Sequence, residues 1–161
     1  MINKIKEYFN IRGILFVIVL SLPLVYFVNK DMKEQGQIRE YAYAYAEACL
    51  YNTVGRTNNN PYDSIRVLVL GDDELHVASD DFGAVHIFET EEGVRRSKLS
   101  DSFTAVAYFK RDENRIYVAN KYKRDTDVLA HEYIHALGIF GHETPVFVLC
   151  NLSAEQIAQK Y

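Results

Sequence analysis

The sequence predicts an α+β fold: a small, mostly antiparallel or mixed sheet packed with helices, preceded by an N-terminal transmembrane helix. Three observations lead there. Short β-like runs bounded by Gly, Asp and Asn crowd the middle of the chain. Helix-patterned stretches lie before and after them, the later ones with capping residues. An uncharged apolar run follows a basic leader at the N-terminus. At 161 residues and a formal net charge of −4, the chain has the length of one domain with a short appendage. It lacks the basic surplus of a nucleic-acid binder, and none is expected as a partner.

The appendage comes first. The apolar run extends from Gly13 to Val28, behind Lys4, Lys6 and Arg12. That length is at the short edge of the roughly 17–25 residues that span a bilayer, with Tyr26 and Phe27 suited to the interface. A cleaved signal peptide competes, but Val28–Gln35 offers no A-x-A pattern where cleavage would fall. The expectation is therefore an uncleaved membrane anchor over residues 1–31 and a domain over 32–161. The leader is more positive than the far flank, where Asp31 and Glu34 offset Lys30 and Lys33. This places the N-terminus in the cytoplasm and the domain outside it. In that setting Cys49 and Cys150, the only cysteines, either pair between the early helix and the late segment or stay buried as thiols.

From Met32 to Tyr51 a helix is expected, with Ile38, Tyr41, Tyr45 and Cys49 along one stripe. The alternation in "YAYAYA" also suits a strand, but the alanines and charged flanks favour helix. "GRTNNNP" breaks the pattern. Strands follow in "SIRVLVL", "LHVAS" and "AVHIFET". "FTAVAYFK" and "RIYVANKY" then form a hairpin across the four-residue loop "RDEN". "RDTDVLAHEYIHALG" reads as a helix capped by Asp125, Thr126 or Asp127 and ended by Gly138. "HETPVFVLC" is expected to be irregular or extended. "LSAEQIAQKY" closes as a short helix, with Ser153 and Gln156 in capping-box positions.

The chemistry concentrates in "AHEYIHALGIFGHE", Ala130–Glu143. His131 and His135, four residues apart on a helix, project from one face and can hold one metal ion. Glu132 is about 100° around the helix from its neighbour, able to reach a metal-bound water without itself being a ligand. This is the H-E-x-x-H arrangement, in which a carboxylate takes the proton of a zinc-activated water. The opposite stripe, Leu129, Tyr133, Ala136 and Phe140, is apolar and suited to burial. A pair of histidines without metal is the bland alternative. His76 and His86 lie at no ligand spacing and read as ordinary strand histidines. Asp127, one turn before His131, either caps the helix or accepts a hydrogen bond from an imidazole; capping is preferred.

At these residues the chain resembles the zincin metallopeptidases, over the hairpin and everything after it. The resemblance implies peptide-bond hydrolysis with Zn2+ as cofactor. It also implies an edge strand that pairs with an extended peptide substrate, for which "RIYVAN" is the candidate. The pattern is similar to that of the metzincins, but their third histidine would fall at Gly141, and no methionine follows Met32 to make a Met-turn. "GHETPVF" resembles the SprT-like and Wss-like small metallopeptidases, which implies His142 as third ligand and Phe147 as an aromatic beneath the site. A thermolysin-like gluzincin arrangement would instead use Glu155. Glu143 is a third contender, better suited to orienting an imidazole.

The reading is a membrane-anchored zinc metallopeptidase. Glu132 is its general base, and His131, His135 and His142 are its metal ligands. A peptide or protein is its substrate, with a protein partner as a source of selectivity. The alternative is a non-catalytic membrane-tethered module that uses zinc structurally or for interaction.

Overall fold

The computed structural model describes the backbone of residues 2–55, 60–71, 73–97, 99, 101–142 and 144–160, with side chains from Val25 onward. The chain divides into two compact units, Met1–Gln37 and Ile38–Tyr161. Helix α1 (Ile2–Val54) supplies all the described backbone of the first.

The single-pass placement is corrected here. Most of the apolar run, up to Leu24, lies outside the residues whose side chains are described. Among the described residues, no helix is long and apolar enough to cross a membrane. Val25–Val28 runs directly into Asn29, Lys30 and Asp31, and a span needs about 20 apolar residues.

The second unit is α+β, with two three-stranded sheets. Its strands are β1 (Arg66–Leu70), β2 (Leu75–Ser79), β3 (Val85–Phe88), β4 (Asp101–Ala105), β5 (Ala107–Lys110) and β6 (Arg115–Ala119). One sheet has the order β1-β6-β5, with β1 parallel and β5 antiparallel to β6. The other has the order β3-β2-β4 and is antiparallel throughout. β4 and β5 are one extended segment interrupted at Val106, whose carbonyl accepts from the Ala119 N–H at 2.9 Å. The expected hairpin forms, and its loop is a 3-10 turn closed by Asn114 at φ 49°.

The expected edge strand is wrong. β6 is central, because after the second sheet has formed the chain returns through β5 and β6, and β6 pairs with β1 on its far side; β1 and β5 are the edges. Alternation in a sequence reports which face is buried, not which strand pairs on either side.

Among the described residues, the unit also holds the Ile38–Val54 part of α1 and four further α-helices: α2 (Glu91–Ser97), α3 (Thr126–Ala136), α4 (Pro145–Leu149) and α5 (Ala154–Ala158). α4 replaces the extended segment expected at "HETPVFVLC". Pro145 takes the first helical position, where its missing N–H costs nothing, and this outweighs the strand preference of Val, Phe and Val. α5 has the expected capping box.

The core gathers α3 against the β1-β6-β5 sheet, with Leu129, Tyr133, Ile134, Ile116 and Val118 fully buried. α1 buries Ala42, Ala46 and Leu50; of the expected stripe, Ile38 and Cys49 pack against the core, while Tyr41 and Tyr45 are 64% and 39% exposed. Alanines let the helix approach closely. Tyr43 turns inward instead and meets Tyr133 edge-on at 5.4 Å. Cys49 and Cys150 form a disulfide, with Cα atoms 6.1 Å apart.

Candidate metal centre

α3 carries the first part of the site. Its N-cap is Asp125, whose carboxylate accepts from the N–H groups of Asp127 and Val128 at 2.9 and 3.1 Å. Asp127 therefore does not cap the helix; it forms an ion pair with Lys160. One turn further on, His131, Glu132 and His135 are all buried.

Each helical imidazole is held by a backbone carbonyl from outside the helix. His131 Nδ1 donates to Leu152 O at 2.6 Å, and His135 Nδ1 donates to Ile139 O at 2.6 Å. Gly138, at φ 104°, permits the reversal that turns the Ile139 carbonyl back. A proton on Nδ1 leaves a lone pair on Nε2, so both rings present acceptor nitrogens to the same point.

His142 completes the cluster. Its Nε2 is 3.1 Å from that of His131 and 3.0 Å from that of His135, and the two helical Nε2 atoms are 3.1 Å apart. Among the described residues, these three lie close enough to hold a metal ion. The donor chemistry fits one. Two of the nitrogens have no proton to share, so three mutual hydrogen bonds are impossible, and a cation between them satisfies all three. The separations are slightly under the roughly 3.3 Å edge of a tetrahedron with Zn–N bonds of about 2.0–2.1 Å.

Phe147 of α4 lies against all three rings, with centroids 4.5, 4.9 and 5.5 Å from those of His131, His135 and His142. Of the other expected candidates, Glu155 is exposed on the first turn of α5 and outside the cluster. Glu143 lies outside the described residues. His76 is on β2, and His86 on β3 is 3.6 Å from Asp80. Phe140 is not on the buried stripe; it is half-exposed beneath the Arg111 guanidinium.

Burial governs the electrostatics. It pushes the Glu132 carboxyl up to about 8, against the opposing pull of a hydrogen bond from the Phe109 backbone. Burial also holds His131 below its usual value and, helped by the neighbouring His131, brings His135 down to about 4. Both rings thus stay neutral and able to ligate across the physiological range.

His131, Glu132, His135 and His142 line a cleft of about 1350 Å³ together with the whole of β5. The sequence did not reveal the carbonyls of Leu152 and Ile139. Every residue carries one, so no side-chain pattern marks the two that matter. Comparison with protein-family models, curated proteins and solved structures finds no match.

Proposed function

We propose that the protein is a zinc-dependent peptidase, with His131, His135 and His142 as ligands and Glu132 as general base. The observation that carries this reading is the convergence of three Nε2 atoms, 3.0–3.1 Å apart, beside a buried carboxyl in an open cleft. Three protein ligands and an accessible fourth position suit a catalytic zinc better than a closed structural one.

Zinc held there would supply a Lewis acid and bring the pKa of water near 7. Glu132 takes the proton of the attacking water and later returns it to the leaving amine. A dication beside the carboxyl favours its ionised form, opposing the effect of burial. β5, the edge strand that lines the cleft, offers backbone groups to an extended peptide, the role first expected of β6. Phe147 fixes the rings from below, and the Leu152 and Ile139 carbonyls fix their tautomers.

The test is metal content and cleavage together. The purified chain should bind about one zinc, and Glu132→Gln should keep it while losing hydrolysis of an unfolded protein. A wild-type chain that binds no zinc would sink the reading, as would a Glu132→Gln variant that cleaves normally.

A further inference from the structure

The His131 side of the metal centre depends on a short turn of backbone. Its Nδ1 partner, the Leu152 carbonyl, follows a five-residue helix, α4. Helices that short are not stable by themselves. α4 buries Val146 and Phe147 but leaves Val148 and Leu149 57% and 68% exposed. Local hydrogen bonds shape the turn after it: Cys150 N–H to Val146 O at 3.0 Å and Leu152 N–H to Phe147 O at 2.8 Å. Asn151 enters the left-handed region at φ 56°. None of these ties the turn to the rest of the unit.

The buried side chains of Cys150 and Leu152 do so, and α1 adds two further ties, both at Cys150. Cys49 bridges to Cys150 across 101 residues of sequence. Tyr45, one turn earlier on the same helix, donates its hydroxyl to the Cys150 carbonyl at 2.9 Å. Cys150 stands between the two elements that shape the centre, with Phe147 three residues before it and Leu152 two after.

We propose that Cys49 and Tyr45 are positioning residues for the metal centre, so that metal affinity depends on whether the Cys49–Cys150 bridge is closed. This rests on the metal-centre reading above. With the bridge closed, the Leu152 carbonyl stays opposite His131 Nδ1 and holds the proton there, leaving Nε2 free to ligate. With it open, the Leu152 carbonyl holds the ring less firmly, and the imidazole is a less well oriented and weaker ligand. Opening requires a thiol reductant: its thiolate attacks one cystine sulfur, and a second thiol releases the reductant as a disulfide. The two cysteines gain two electrons and two protons.

The experiment measures zinc affinity by chelator competition, and the visible spectrum of the Co2+-substituted protein, on the full chain. Four forms are compared: oxidised wild type, Cys49→Ser/Cys150→Ser, Tyr45→Phe and Tyr43→Phe. Tyr43 is the control, because its hydroxyl on the same helix donates to Asn60 O, away from the turn. Loss of the bridge should weaken zinc binding about 10–100-fold and alter the Co2+ bands. Tyr45→Phe should weaken it a few-fold, and Tyr43→Phe should leave it unchanged.

A folded double-serine variant with wild-type affinity and spectrum overturns the proposal while sparing the metal centre. If that variant does not fold, equal affinities in Tyr45→Phe and Tyr43→Phe overturn it. Failure of every form to bind zinc brings down both.

Discussion

Two histidine settings in the same unit stand in contrast. On α3, His131 and His135 are buried, each with Nδ1 held by a backbone carbonyl and Nε2 turned toward His142. On β3, His86 is exposed and 3.6 Å from Asp80, whose other oxygen accepts from the backbone of Phe82 and Ala84 in the β2–β3 turn. Both settings are polar. Only the first converges on a point with lone pairs. Ligand character thus comes less from the histidine than from what binds its far nitrogen and how dry its surroundings are.

The contrast can be broken most sharply at Glu132. Glu132→Gln should lower hydrolysis of an unfolded protein by about 10²–10⁴-fold, the usual range for removal of a general base, with zinc content unchanged by elemental analysis. Next, His142→Ala should weaken zinc binding by at least about 10-fold in chelator competition, while Glu155→Ala leaves it as in wild type. The reverse pattern would transfer the third position to Glu155. Phe147→Ala should cost about 3–5 kcal/mol in denaturant unfolding, since a fully buried ring leaves a cavity.

A pH series sharpens the same comparison in the metal-free protein. Glu132 titrates near 8 in the fold and near 4.5 unfolded. The folded state therefore binds more protons between these values, and stability falls as pH rises through that window. Glu132→Gln removes the effect, so its advantage over wild type should grow from pH 4.5 to 8 and reach on the order of 3 kcal/mol near pH 7. His135 works in the other direction. Its folded value of about 4 lies below the usual 6.5, so the unfolded chain binds more protons in between. The His135 contribution to stability is lost as pH falls through that range. The smallest effect belongs to His86→Ala, expected within about 0.5 kcal/mol of wild type, as exposed pairs contribute little, and without change in metal binding.

How much of this was legible beforehand differs by element. The helix bearing His131, Glu132 and His135 was readable because its signals are local: a capping acid, a 3.6-residue stripe and Gly138. The hairpin around Arg111–Asn114 was readable for the same reason. The buried face of α1 was half legible: Ile38 and Cys49 of the expected stripe pack against the core, but Tyr41 and Tyr45 do not. Alternating tyrosines dominate hydrophobicity by size, whereas close helix packing selected Ala42 and Ala46. α4 was missed because the position of Pro145 outweighed the strand preference of the residues after it.

The sequence by itself determined the class of fold and put two imidazoles and a carboxyl on one helix, because residues four apart share a face whatever surrounds them. Tertiary structure alone decided that β5 lies at an edge of its sheet and that His142, not Glu155, stands with the helical pair. It also chose Leu152 and Ile139 as the carbonyls behind the two imidazoles. These outcomes depend on which distant segments of backbone meet, and backbone groups are the same at every position, so side-chain patterns could not announce them.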